Sequence, residues 1–268
     1  MYAGLLITLR EGIEAFLVVG ILLGYLTKIN QLRYKRYIWQ GTIAGVLVSI
    51  ILALSFQLLA IQFSGPAAEV FELAVSLAAV GVLTWMVFWM QRQSRIIKGE
   101  LEKKIKIAVS TGQIFALASL AFMAVLREGL ETTLFLGALA ATMRDPLLLL
   151  GAFLGLLVSV IVTYIIFRTT VRLDVRKFFI VSGVLIIFIA AGLLGHTVMT
   201  LQELNIVPPL VPHIWDTGGL IGEAGLLGRL LHAFIGYTAS PSLMQVMVYF
   251  AYLIFFIYRF WAGESEKS

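Results

Sequence analysis

Long, continuous apolar runs interrupted by short charged or Gly/Pro-containing turns set the pattern of this chain. A run of about 20 apolar residues is what an α-helix needs to cross the hydrocarbon core of a bilayer. Seven such segments are predicted, at about residues 2–27, 38–63, 67–90, 112–143, 147–167, 178–199 and 242–261. Because the runs do not alternate apolar with polar positions, they argue against a transmembrane β-barrel. Lys and Arg cluster after the first, third and fifth segments (Lys28 to Arg36, Arg92 to Lys106, Arg168 to Lys177) and are sparse after the second, fourth and sixth. The positive-inside rule then puts the N-terminus outside and the C-terminus in the cytoplasm of a cell membrane. On that reading the Gly/Pro-rich stretch at about 200–241 lies outside, between the sixth and seventh segments. Trp85, Trp89, Tyr252, Tyr258 and Trp261 fall near inner ends, where an aromatic belt is expected.

Two of the seven segments break the apolar rule in the same way. Arg10-Glu11-Gly12-Ile13-Glu14 interrupts the first, and Arg127-Glu128-Gly129-Leu130-Glu131 interrupts the fourth. An ionisable group at that depth costs about 3 kcal/mol or more unless paired or wetted, so these residues are candidates for function. Glutamates three apart share a helix face. At a constant offset, Leu9, Arg10, Glu11, Gly12, Glu14, Leu17, Gly20 and Leu22 match Leu126, Arg127, Glu128, Gly129, Glu131, Leu134, Gly137 and Leu139. The second and fifth segments match through Gly41, Gly45, Leu47, Val48 and Ser49 against Gly151, Gly155, Leu157, Val158 and Ser159. Val75-Ser76 and Val181-Ser182 weakly relate the third to the sixth. A unit with an odd number of spans must insert its second copy upside down, a recurring plan among transporters. The expected architecture is an all-α polytopic membrane protein in one domain. It has two inverted three-helix repeats, at about 1–91 and 107–200, an external loop at about 200–241, and a C-terminal seventh helix.

Composition sharpens this. The chain is 60% hydrophobic and 13% charged, against roughly 25% charged in a soluble domain. The formal charge of +5 reflects loops facing the cytoplasm rather than a nucleic-acid surface, and no nucleic-acid partner is expected. With no cysteine, disulfides and thiolate metal sites are excluded. No cleavable signal is expected, since Arg10 and Glu11 interrupt the first apolar run.

Inverted insertion brings the first and fourth segments together, so Glu11, Glu14, Glu128 and Glu131 should converge near mid-membrane. Arg10 and Arg127 compensate part of their charge, and Glu72 adds to it. Such a cluster is untenable in low dielectric without protons or a cation. Carboxylates are hard oxygen donors suited to magnesium, calcium, manganese or ferric iron. His196, His213 and His232 all map to the outer side, and no Glu-x-x-His pair of a di-iron oxidase is present. An enzyme is not expected, as no nucleophile–base pair or cofactor motif appears. Glu203, His213, Asp216, Glu223 and His232 are possible capture ligands in the external segment. Asp216 also reads as a cap or turn, and residues 223–231 as a short interfacial helix. Glu69 reads as an acid favouring a helix N-terminus.

The doubled Arg-Glu-Gly-x-Glu resembles the Arg-Glu-x-x-Glu signature of the oxidase-dependent iron transporters, the high-affinity iron permeases of fungi and the Efe-type permeases of bacteria. The likeness extends to Phe71-Glu72 and to the stretch from Trp215-Asp216-Thr217 through Gly228, Gly236-Tyr237 and Pro241-Ser242. It implies uptake of iron as a transported substrate, ferric after oxidation by an extracytoplasmic oxidase or delivery partner, with no organic cofactor. It further implies that Glu11, Glu14, Glu128 and Glu131 are metal ligands supported by Arg10 and Arg127. Leu73 follows Glu72 where relatives often carry glycine. Two alternatives stay open on the residues alone: a permease for manganese, lead or proton-coupled cations, and a membrane scaffold or sensor whose acids only tie helices together.

Overall fold

The computed structural model describes residues 1–93, 97–143, 145–168, 175–222 and 225–265. Among these residues all regular structure is helical. The elements are α1 (Tyr2–Lys28), α2 (Lys35–Gln62), α3 (Pro66–Gln93), α4 (Ile97–Ser110), α5 (Ile114–Met143), α6 (Leu148–Arg168), α7 (Val175–Glu203), α8 (Leu226–Ile235) and α9 (Leu243–Ser265). Among the described residues, four stretches are long and apolar enough to cross a membrane by length and composition: Leu32–Gln62, Pro66–Met90, Leu148–Phe167 and Phe178–Glu203. They span the bulk of α2, α3, α6 and α7. Helices α1 and α5 are 27 and 30 residues long, about 40–45 Å at 1.5 Å per residue, and differ from those four in carrying the charged blocks.

Local sequence explains the breaks. Gly65 takes a left-handed φ of 60°, and Pro66 opens α3, where its missing N–H costs nothing. Gly112, at φ 66°, separates α4 from α5. The charged stretch from Arg92 to Lys106 reads as a loop between spans; helix α4 corrects that from Ile97 onward, while residues 94–96 lie outside the described residues. Leu101, Ile105 and Ala108 share one helix face, and Ile105 and Ala108 are buried, while Lys103, Lys104 and Lys106 are exposed. High charge masked that apolar stripe from a reading based on mean hydropathy.

Helix pairing follows small residues. Alpha-carbon hydrogens at Gly4, Gly12 and Gly20 of α1 face Leu148, Ser159 and Phe167 of α6, so the two helices run in the same direction. Helices α2 and α5 pair the same way, through Gly41 on Ala118, Gly129 on Ser49 and Gly137 on Phe56. The two sets of contacts mirror each other. Gly12 meets Ser159 and Gly129 meets Ser49; Gly45 meets the Phe122 carbonyl and Gly155 meets the Leu5 carbonyl. Helix α3 packs on α7, and α7 also on α8 and α9. The Thr8 hydroxyl adds a polar tie, donating 2.8 Å to the Ala152 carbonyl oxygen of α6. Side chains left on the outside of α2 and α6, such as Ile43, Leu47, Ile51, Phe153 and Ile161, are apolar and exposed, as lipid contact requires.

Because a Cβ at Gly41 would run into the backbone carbonyl of Ala118, Gly41→Ala is expected to destabilise the protein by about 1–3 kcal/mol. Gly24→Ala, where the added carbon meets nothing within 4 Å, is expected to be neutral. Thermal unfolding in detergent checks the contrast, and equal melting temperatures for both variants would contradict this packing.

The buried core has two apolar clusters. One gathers Ala3 and Ile7 of α1 with Phe135, Ala138 and Leu139 of α5 and residues of α3, α7 and α9. The other gathers Val19, Leu22 and Leu26 of α1 with Leu117, Ala121 and Val125 of α5, Ile38 of α2 and Ile105 of α4. On both α1 and α5 the charged block falls in the interval between these clusters.

Candidate metal centre

Both charged blocks sit mid-helix, so neither can use a helix end for solvation. Arg10, Glu11, Glu14, Glu128 and Glu131 are all buried. Their helices supply the nearest counter-charges. Arg10 spans Glu11 and Glu14 with its two arms: one η-nitrogen donates 2.8 Å to Glu11 Oε1, and the other lies 3.0 Å from Glu14 Oε1. Arg127 donates through Nε to Glu131 Oε1 at 2.8 Å, with Glu128 Oε1 at 3.9 Å.

The helices then bring three acids to one place. Glu11, Glu128 and Glu131 each offer a carboxylate oxygen, and these oxygens lie within 4.8 Å of one another. Glu14 stands beside them, engaged by Arg10. Four glutamates and two arginines leave two negative charges in excess. One oxygen on each of Glu11, Glu128 and Glu131 is buried without a hydrogen-bond partner among the described residues. An unsatisfied buried acceptor costs about 1–3 kcal/mol, more when charged, so three in one place make a cluster that favours a cation of hard character. Its three acids come from both halves of the chain.

Glu72 does not join the three. It lies on α3 with Oε1 3.6 Å from His196 Nδ1 of α7. His196 in turn borders a small cavity with Thr142, Gly192 and His232. Glu69 stands in the first turn of α3. In the segment before α8, Asp216 accepts from the Gly218 N–H at 2.9 Å, closing an Asx turn. His213 Nδ1 is 2.7 Å from Ser240 Oγ, and His232 Nδ1 is 2.8 Å from the Tyr237 carbonyl oxygen. Asp216 and His213 are exposed, as is Glu203, and Glu223 lies outside the described residues. The interfacial helix expected at 223–231 is α8, at Leu226–Ile235. It ends on Gly236, whose left-handed φ of 66° and contact with Gly192 let its backbone cross α7 closely.

Residues that sequence reasoning did not attach to the cluster come from α3. Met86 Sδ accepts from Arg10 at 3.2 Å. The Arg127 guanidinium carbon lies 3.8 Å from the Trp89 ring centroid and 5.5 Å from that of Trp85. From the sequence, Trp85 and Trp89 read as part of an interfacial belt. The four-residue spacing that stacks them on one face was the available signal.

Taken together, an all-helical fold with membrane-length apolar helices and a buried acidic cluster defines a multi-pass membrane protein. The chain matches the Iron permease FTR1 family over residues 1–263 and belongs to that family. It is similar to the Ferrous iron permease EfeU of Escherichia coli O6:H1 (strain CFT073), 34% identical over 258 residues, which cover 95% of this chain and 93% of that protein. Ferrous iron permease EfeU of Shigella sonnei (strain Ss046) matches at 34% over the same shares. That of Yersinia pestis matches at 33% over 261 residues, 95% of this chain and 91% of the relative. No solved structure matches. The protein is thus a membrane permease for iron, not an enzyme, and iron is its substrate rather than a cofactor.

Proposed function

We propose that this permease imports iron through a mid-membrane site made by Glu11, Glu128 and Glu131, with Glu14 exchanging into it and Arg10 and Arg127 as counter-charges. The observation that carries the reading is the meeting of three carboxylate oxygens from α1 and α5 within 4.8 Å. Ligand exchange among four acids keeps the site from becoming a trap, because an ion can leave one carboxylate as it gains the next.

The chain crosses the membrane seven times, through α1, α2, α3, α5, α6, α7 and α9, with the N-terminus outside and the C-terminus in the cytoplasm. Residues 1–91 and 107–200 form two inverted repeats, followed by an external segment to 241 and the last span. Mirrored contacts support this plan. Gly12 on Ser159 with Gly129 on Ser49, and Gly41 on Ala118 with Gly151 on Met1, exchange the two halves. Iron enters past Glu72 and His196. Asp216, His213 and Glu223 serve as outer capture groups.

The relatives' names specify ferrous iron. An all-carboxylate centre is harder than ferrous iron requires and suits the ferric ion. Ferrous iron presented outside is therefore oxidised by an extracytoplasmic partner before passage.

Radio-iron flux into proteoliposomes tests both points. Ferrous iron held reduced with ascorbate and ferric citrate are supplied in separate arms, with manganese and lead as competitors. The proposal expects flux of iron that manganese and lead compete for weakly, and faster flux in the ferric arm. Flux only in the ferrous arm would remove the oxidation step. Equal competition by manganese would remove the selectivity for iron.

A further inference from the structure

The two motif arginines occupy equivalent sequence positions but unlike surroundings. Arg10 is 1% exposed and clamped between two carboxylates and Met86. The Arg127 side chain is 28% exposed. It holds one carboxylate closely, through Nε alone, and its guanidinium carbon lies over Trp89, 3.8 Å from the ring centroid. Trp85 backs Trp89, the rings 6.0 Å apart and inclined by 25°.

The cause is α3. Aligning Val75-Ser76 with Val181-Ser182 sets Trp85, Met86 and Trp89 of α3 against Ala191, Gly192 and Gly195 of α7. Both arginines lean on α3, which carries Met86 and Trp89 where the aligned positions of α7 are Gly192 and Gly195. A methyl group at Gly195 would meet no atom within 4 Å among the described residues. Along α3, Glu72 precedes Trp89 by 17 positions, about 25 Å of helix.

Resting on the site proposed above, we propose that Trp89 is a positioning residue for transport: it docks Arg127 as the movable counter-charge, while Arg10 stays fixed. An arriving cation competes with Arg127 for Glu131, because both need its carboxylate oxygens. Arg127 can yield Glu131 without being stranded, since the Trp89 face keeps a cation-stabilising surface under it. When the ion departs, the docked guanidinium is one short swing from Glu131 and restores its neutralisation. Arg10 rests on no aromatic ring among the described residues: Glu11 and Glu14 hold it together, and its other neighbour, Met86, is a thioether and a weak acceptor.

The test uses the full-length protein in proteoliposomes for flux and in detergent for equilibrium binding, with ferric citrate as the probe in both. Trp89→Leu is expected to lower flux about tenfold, between the effects of an exposed and a desolvated cation–π contact, as fits the part-exposed Arg127 side chain, while iron binding at equilibrium shifts by less than about threefold, because no ligand is removed. Trp89→Phe and Trp89→Tyr, which keep an aromatic face, are expected to retain most of the flux. Native flux in Trp89→Leu would overturn the proposal. So would equal loss in the Phe, Tyr and Leu variants, which marks a packing role alone. Glu128→Gln runs alongside. If it retains flux, the carboxylate site itself fails; if it is inactive while Trp89→Leu is native, only the docking role fails.

Discussion

Glu128→Gln is expected to abolish iron flux while leaving the protein as stable as the parent or more so. Glutamine preserves the shape of Glu128 but removes one negative charge from a buried group where three carboxylate oxygens lie within 4.8 Å. Like charges at that distance repel in a medium of low dielectric, so losing one favours the folded state in the absence of metal. The same charge is what a cation needs. Loss of a support to a metal ligand already costs about 10–100-fold, and loss of the ligand itself costs at least the upper figure. Flux measured with radio-iron, beside a melting curve on the same preparation, reads both effects. A variant that transports normally contradicts the role of Glu128; a variant that is inactive because it no longer folds contradicts the electrostatic argument.

Arg10→Leu is expected to be the most damaging single change to stability in the chain. Arg10 is fully buried and supplies both Glu11 and Glu14 with their nearest positive charge. Removing one partner of a buried ion pair costs about 3–5 kcal/mol, because the other charge stays in place without compensation. Here two charges would be left. Arg10→Lys keeps the charge but loses the planar fork that reaches two carboxylates together, and falls between. Arg127→Leu is expected to destabilise less, since its side chain is 28% exposed and only its Nε is closely bonded. Adding Glu14→Gln to Arg10→Leu removes one stranded charge and is expected to recover part of the loss. Chemical unfolding in detergent ranks the four proteins. Equal stability of Arg10→Leu and Arg127→Leu would contradict the asymmetry.

The helices and the meeting of the two charged blocks could be anticipated from sequence, because the signals are long and redundant. Apolar runs of membrane length locate α1 to α3, α5 to α7 and α9 to within a few residues. The doubled Arg-Glu-Gly-x-Glu marks the middle of α1 and α5, and the Gly41/Gly45 and Gly151/Gly155 pairs mark where helices approach. Helix α4 escaped because its stripe of Leu101, Ile105 and Ala108 is short and surrounded by lysines.

Finer features of the site were beyond reach for a different reason. That Glu11 groups with Glu128 and Glu131 while Glu14 faces Arg10 depends on the rotation of α1 about its axis, and a three-residue spacing leaves that rotation undetermined. The difference between Arg10 and Arg127 is set by a third helix. Two-fold matching predicts equivalence, and the positions of Met86 and Trp89 on α3 against Gly192 and Gly195 on α7 break it. Trp89 fits an interfacial belt by composition, and its four-residue spacing from Trp85 marks a shared helix face without naming an arginine 38 positions away.

X-ray absorption at the iron edge on the iron-loaded, full-length protein tests the carboxylate site most directly. The account predicts a first shell of oxygen only, without the outer-shell scattering of imidazole, and loss of the bound iron signal in Glu128→Gln. Iron held by histidine, or an unchanged spectrum in Glu128→Gln, would contradict it.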